Sequence, residues 1–402
     1  MLVVHPTGNQ NSRHAARAFA EVGRLDAFIT ALSVSARAAP IRFLPDRLLD
    51  EARRRDFSMI GGKVVSVAPL SELMRLASRN FNGRVAGKPD SIDRLYRKVD
   101  CAAARYLARH ADISAVYCYE DAALETFRVA KAAGVRCIYE LPIGYWREHR
   151  RIKAQEAQRR PDWAQTWNVD KDSAEKCQRK DDELALADQI IVASAFTERS
   201  LARFPGTVVA SSLLPYGCPS AIDPASRNWY KGGVLKLLFV GELSQRKGLA
   251  DVLEVVTQFG PRVQLSLIGS GPGAKMNWDR ASNIRLLGSR SHDGVLEEMR
   301  RNDVLLFPSL FEGFGMVITE AMSQGLAVIA SDCTGLPAVA DGDSAIQVTA
   351  GVPAQLSEAI EGLLRAPDKV ESLGRAALQR AARWQWQDYR ANLRQLTLGA
   401  TV

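Results

Sequence analysis

The stretch FEGFGMVITEAMSQG, Phe311–Gly325, decides how this chain is read. Gly313 and Gly315 flank Phe314, and an apolar, helix-forming run begins at Met316. Glycines in a turn that opens a helix let backbone N–H groups approach an anion, and the helix dipole adds to the attraction. Yet Glu312 stands at the mouth of this turn, and Glu320 follows eight positions later, inside the helix. A carboxylate repels a phosphate at contact, but it accepts hydrogen bonds from paired hydroxyls, as acidic residues do with ribose. Glu320 lies roughly 6 Å along the helix axis from its start. The pattern therefore suits a ligand with phosphates in the middle and hydroxyls at both ends. Glu320 would take ribose hydroxyls, and Glu312 would take sugar hydroxyls beyond the phosphates. Such a ligand is a nucleotide-sugar. Without the glycines, the same acids would read as a dipole-stabilising residue and a surface carboxylate.

The loops upstream fit the same ligand. A strand at Leu235–Val240 ends at Gly241, and Arg246 and Lys247 close the loop before the next helix. Two cations at a helix start oppose its dipole, and a bound anion would reverse that penalty. A solvated surface pair is the other reading. LIGSGPG, Leu267–Gly273, is a second strand-end glycine turn, without a full dinucleotide fingerprint. A strand at Ile284–Leu287 runs into Gly288, whose backbone could meet the edge of a base.

Short apolar runs alternate with helical periodicity along the whole chain, which predicts βα units and parallel sheets. In the first half, strands are expected at Leu2–His5, Ile41–Leu44, Ser58–Ile60 with Val64–Val67, Ile113–Tyr117, Val135–Tyr139 and Gln189–Ala193. Ser211–Gly233, rich in proline and glycine, reads as a linker. Beyond it come further strands at Val263–Ile268, Val304–Phe307, Ala327–Ala330 and Ala345–Val348. The tail from Glu371 is amphipathic and helical, and Trp384, Trp386 and Tyr389 give it a large aromatic area to pack. Two open α/β sheets facing each other leave a cleft, and ligands bind beyond the carboxyl ends of such strands.

The chain has 402 residues and a net charge of +8, a balance that suggests an anionic partner. Nucleic acid is excluded as that partner, because no aromatic-interleaved strand pattern or zinc spacing accompanies the charge. The six cysteines form no C-x-x-C pair; Cys118, Cys137 and Cys333, in or beside apolar strand-like runs, read as buried thiols, and a reducing compartment is expected. No D-x-D pair ends a donor-side strand and no His/Asp/Glu set has metal-ligand spacing, so no metal is expected. The N-terminus enters a strand directly and no long apolar run occurs, so neither a signal peptide nor a membrane span is expected. A cytoplasmic location follows. Tyr145–Trp163 is strongly basic with aromatics at both ends. It admits three readings: peripheral contact with an anionic membrane, a grip on an acidic acceptor, or a solvated helix face.

Taken together, DELALADQIIVASAFTERSL, PYGCP, FVGELSQRKG, LIGSGPG and the E-x7-E stretch resemble the retaining glycosyltransferases of family 4, the glycosyl transferases group 1. The resemblance covers about Leu184 to Ala340. It implies the GT-B fold, with two Rossmann-like domains across a cleft. Residues 1–215 would form the acceptor side, 216–375 the donor side, and 376–402 a helix crossing back. It implies a metal-independent hexosyltransferase whose donor is a nucleotide-diphosphate sugar and whose acceptor is unknown. Arg246 and Lys247 would hold the diphosphate, and Glu320 the ribose. Glu312 and the backbone of Gly313, Phe314, Gly315, Met316 and Val317 would hold the transferred sugar and phosphate. Gly8, Gly241 and Gly288 complete the donor set. Catalysis would rest on Glu312, Arg246 and Lys247 by a front-face route.

Two departures stand out. Many members carry an arginine where this chain has Glu242. A catalytic-side histidine is replaced by Glu140, with His149 further on and His5 at the first strand. A nucleotide-sugar 2-epimerase and a non-catalytic sugar-nucleotide binding protein are the competing classes.

Overall fold

The computed structural model describes residues 1–34, 55–80, 90–167, 172–276 and 281–399. Seven short strands form the first sheet: β1 Leu2–Val4, β2 Ala27–Thr30, β3 Val64–Ser66, β4 Ala115–Tyr119, β5 Arg136–Leu141, β6 Gln189–Val192 and β7 Ser211–Leu213. Their order is β3-β2-β1-β4-β5-β6-β7. The second sheet holds β8 Leu235–Val240, β9 Val263–Ile268, β10 Ile284–Gly288, β11 Val304–Phe307, β12 Ala327–Ser331 and β13 Ile346–Val348. Its order is β10-β9-β8-β11-β12-β13. The strands pair in parallel. Central strands such as β4 and β12 are buried at every residue, which is why they read as continuous apolar runs.

Strand order reverses next to β1 in one sheet and next to β8 in the other, since β1 pairs with β2 and β4, and β8 with β9 and β11. A crevice opens outside the carboxyl ends of the strands at such a switch point. The His5–Gly8 loop follows β1, and the Gly241–Lys247 loop follows β8.

Three local readings change. Ala27–Thr30 is a strand that sequence reading passes over. Ser58–Ile60 is a single 3₁₀ turn, with Phe57 and Ile60 buried one turn apart and Met59 exposed. Ser211–Leu213, inside the expected linker, pairs with β6 as an edge strand. The expected strand at Ile41–Leu44 lies outside the described residues.

The tail forms two helices, Pro367–Arg383 and Trp386–Leu398. Gln385 and Asp388 form a capping box that starts the second one. The first helix packs on Met316–Ser323 of the second half, and the other on Gln10–Ala20 of the first half. Tyr216 sits where they meet, in ring contact with Phe314, Trp386 and Tyr389. Gly217 lets the linker cross the tail, because a Cβ there would lie 2.5 Å from the Trp386 backbone. One apolar cluster thus runs from Val3 and Phe19 through Tyr216 and Trp386 to Phe314 and Ile318. A second tie joins the halves: Arg159 and Arg160, at the end of helix Trp146–Arg159, pair with Asp251.

Candidate active site

The loops after β8 and β11, neighbours in the second sheet, lock onto each other. Leu310 N–H donates to the Arg246 carbonyl at 2.9 Å, and Ser309 Oγ donates to it at 3.2 Å. Gly248, at φ +73°, lets them close, because a Cβ would lie 2.3 Å from the Pro308 carbonyl oxygen. The first half braces this arrangement. Thr166 Oγ1 accepts from Gln245 N–H at 3.0 Å, and Glu156 accepts from the Gln245 amide at 2.7 Å.

Arg246, Lys247 and Glu312 come together at this junction. Lys247 Nζ is ion-paired to Glu312, and Arg246 Nη1 lies 3.9 Å from the same carboxylate. Arg246 also donates to the Phe311 carbonyl at 3.1 Å and faces Glu242 at 3.4 Å. Lys247 is buried over the Phe307 ring, 4.8 Å from its centroid. Burial lowers the Lys247 pKa, with Glu312 opposing the drop. Burial works against the Glu312 carboxylate as well, but Lys247 and Arg246 hold its pKa below the ordinary value. A half-buried carboxylate between two cations is a charge set that an incoming anion can rearrange.

Gly313 meets the first half directly. A Cβ there would lie 1.8 Å from the Pro142 carbonyl oxygen. The Gly313 carbonyl accepts from Ser194 Oγ and, at 3.2 Å, from Thr197 Oγ1. Phe314 is buried against Tyr216 and Gly335, and its carbonyl accepts from Gly335 N–H at 2.7 Å, so ring and backbone together anchor the turn. Gly315, at φ +82°, caps helix Met316–Ser323, whose first-turn N–H groups at Met316 and Val317 have no partner within the helix. Glu320 lies apart from the cation cluster, 3.1 Å from His292 Nε2. Gly241 and Gly288 end their strands at positive φ. Gly288 accepts from Gly269 N–H at 3.1 Å, so the glycine turns form one row along the sheet edge.

On the first sheet, Gly8 N–H donates to His5 Nδ1 at 2.8 Å and Gly8 packs against the Phe57 ring. His5 is thereby a buried acceptor that shapes the Gly8 loop. Glu140 turns into the core, where it accepts from Tyr117, Tyr216 and, at 3.0 Å, Asn11. His149 accepts from Trp167 Nε1 at 2.9 Å and lies edge-on to Phe311, in the wall between the halves. Beside it is a cavity of about 370 Å³ that carries Glu120, Asp172, Lys176 and Lys180, none of which sequence reading singled out. The available signal was position: Glu120 directly follows β4, at the carboxyl edge of the sheet.

The basic segment is largely paired. Arg147 meets Asp181, Arg151 meets Glu148, and Arg159 meets Glu156 and Asp251. Among the described residues, no helix is long and apolar enough to cross a membrane, and no cluster of three His, Cys, Asp or Glu is placed to hold a metal.

Residues 235–366 match the family described as glycosyl transferases group 1. D-inositol 3-phosphate glycosyltransferase of Segniliparus rotundus is 31% identical over 179 residues, covering 39% of this chain and 40% of that protein. Glycogen synthase of Mycobacterium tuberculosis is 27% identical over 230 residues, covering 53% and 55%. The chain thus spans about two fifths to just over half of these relatives. Sucrose-phosphate synthase of Thermosynechococcus elongatus superposes with TM-score 0.66 at 17% identity, over 98% of this chain and 97% of its own. Anabaena Alr3699/HepE, solved with UDP and glucose, gives 0.62 at 15% identity, over 99% of each. The two facing parallel sheets are the GT-B fold.

Proposed function

We infer, from the premise that this chain is a glycosyl transferases group 1 protein of GT-B fold, that it moves a hexose from a nucleoside diphosphate sugar to an acceptor hydroxyl with retention. The observation that carries this reading is the Lys247–Glu312–Arg246 cluster at the mouth of a glycine-opened helix. In the free chain Lys247 and Glu312 neutralise each other. A diphosphate entering beside them draws Lys247 and Arg246 to its own oxygens, together with the Met316 and Val317 N–H groups. Glu312 is then released to accept hydrogen bonds from hydroxyls of the transferred sugar. Glu320, one turn into the helix, takes the ribose, and the strand-end glycines Gly241 and Gly288 leave room for the nucleotide. In this reading residues 1–215 present the acceptor, 216–375 hold the donor, and 376–402 tie the two.

The bond to the anomeric carbon breaks as negative charge grows on the leaving diphosphate. Arg246 and Lys247 stabilise that charge, each by about 2.7–4 kcal/mol if it acts as an oxyanion-hole donor does. The acceptor oxygen bonds to the anomeric carbon on the face the phosphate leaves, and the departing phosphate oxygen takes its proton, which preserves configuration. No protein nucleophile is required.

The test uses UDP-, GDP- and ADP-linked hexoses and follows released nucleotide, with the anomeric product read by NMR. Lys247→Ala and Glu320→Ala should each lower turnover about a hundredfold; Glu320→Ala should leave the thermal unfolding midpoint close to wild type, and Lys247→Ala should lower it because Glu312 loses its ion-pair partner. Normal turnover in both variants overturns the reading, as does a C2 epimer formed from donor alone.

A further inference from the structure

Helix Pro69–Asn80 is built inside out. A surface helix turns its apolar stripe to the core and its charges to water. Here Glu72 is the one buried member of the helix among its described side chains, 1% exposed. Arg55 and Arg75 hold its carboxylate, Arg75 Nε at 2.7 Å. Leu70, Leu73 and Met74 stand 74%, 50% and 66% exposed. Their i, i+3, i+4 spacing puts them on one ridge. Three adjacent aliphatic side chains in water cost free energy, and such a patch rimmed by charge marks a contact surface.

The next helix, Asp90–Leu107, supplies that charge. Arg94, Arg97, Lys98 and Arg105 are exposed along one of its faces. They border a groove that also holds Val67 and contains no acid. Lys98 Nζ donates to Ser71 Oγ at 2.9 Å, which sets the basic stripe against the flank of the apolar ridge. Arg97 pairs with Glu175 at 3.1 Å, and among the described residues no acid pairs with Arg94, Lys98 or Arg105. Asp93 and Asp100 are engaged elsewhere, Asp93 by Arg179 and Asp100 by the N–H groups of Glu125 and Thr126. By contrast, Arg147, Arg151 and Arg159 of helix Trp146–Arg159 each meet an acid.

A ridge of aliphatic side chains offers no pocket to a rigid partner, and this one carries no aromatic anchor of the kind that dominates protein interfaces. Ridge and stripe together fit a fluid surface that is apolar within and negative at its border. We propose that helices Pro69–Asn80 and Asp90–Leu107 form the face by which this chain lies on an anionic lipid bilayer. Leu70, Leu73 and Met74 enter the acyl boundary, and Arg94, Lys98 and Arg105 meet the headgroup phosphates. This assignment does not depend on the reaction proposed above.

The experiment is co-sedimentation of the full chain with vesicles of phosphatidylcholine, alone or with phosphatidylglycerol added, at low and high salt. Wild type should bind the anionic vesicles about tenfold or more tighter, and high salt should remove most of that difference. Arg94→Gln with Arg105→Gln should weaken binding to anionic vesicles about twentyfold, at roughly fivefold per charge. Leu70→Gln with Met74→Gln should weaken it about tenfold at either salt. All four side chains are exposed, so thermal midpoints should hold. Arg262→Gln with Arg365→Gln, two arginines that share Glu361 in the second half, removes the same charge and should bind as wild type does. Equal loss in that control, unchanged binding in either face variant, or no binding to anionic vesicles overturns the proposal. So does a dimer of the free wild-type chain that Leu70→Gln with Met74→Gln dissolves, because the face then belongs to a second copy.

Discussion

Replacing His5 by Asn separates what the imidazole accepts from what it titrates. His5 Nδ1 accepts from Thr7 N–H at 3.2 Å and from Gly8 N–H at 2.8 Å. The ring is 5% exposed and stands edge-on to Tyr119 with centroids 4.8 Å apart. Both bonds need an unprotonated Nδ1, so a proton would break them and leave a buried cation. Burial accordingly lowers the pKa from 6.5 to about 3. Between those values the unfolded chain holds the extra proton. The stability tied to neutral His5 is therefore complete above about pH 6.5 and is lost as pH falls towards 3. At about pH 5 the loss comes to about 2 kcal/mol. Asn at this position offers Oδ1 to the same two N–H groups and does not titrate. Urea unfolding at about pH 8 and about pH 5 should show wild type losing about 2 kcal/mol more than His5→Asn. Other titrating groups, including His14 beside Trp386 and Arg390, act in both proteins and cancel in the comparison. Equal losses in the two proteins would refute the assigned role of the imidazole.

Glu312→Gln leaves the buried Lys247 without its main opposing charge, so the ammonium pKa falls further and turnover drops about a hundredfold; steady-state kinetics on the responsive donor checks it. Gly313→Ala drives a methyl into the Pro142 carbonyl and pulls the Gly313 carbonyl from Ser194 and Thr197. About 2–4 kcal/mol of stability and most turnover should go with it, and a thermal midpoint within a degree of wild type would contradict this. Trp386→Ala removes the ring stacked on His14 at 4.1 Å and packed on Tyr216 and Tyr389. It should cost about 3–5 kcal/mol and open the terminal helix to trypsin at Arg390 and Arg394, read by limited proteolysis against wild type.

How much was legible depends on how local each feature is. The strand-end loops around Arg246, Lys247, Gly313 and Glu320 could be read directly, because glycines, cations and acids there sit within a few residues of a strand end or helix start. The departures could be read as departures: Glu242 lies in the cluster beside Arg246. Glu140 and His149 could not be sorted. Glu140 binds Asn11 and Tyr216, 129 and 76 residues away in sequence, and nothing local marks it as a core carboxylate. The strand Ala27–Thr30 was passed over and the turn Ser58–Ile60 was read as a strand because short apolar runs of strand and turn look alike until neighbours are known.

Amino-acid order alone determined that the chain builds parallel βα layers and that a glycine-opened helix start stands beside two acids. Those properties follow from backbone conformation and from charges a few residues apart. Tertiary structure decided the rest. Placing β8 beside β11 brings Lys247 to Glu312 across 65 residues. Packing the two halves together sets Glu120, Lys180 and Arg246 around one cavity. Side chains from different sheets acquire a common chemistry only when packing fixes their distances, and no periodicity in the chain encodes those distances.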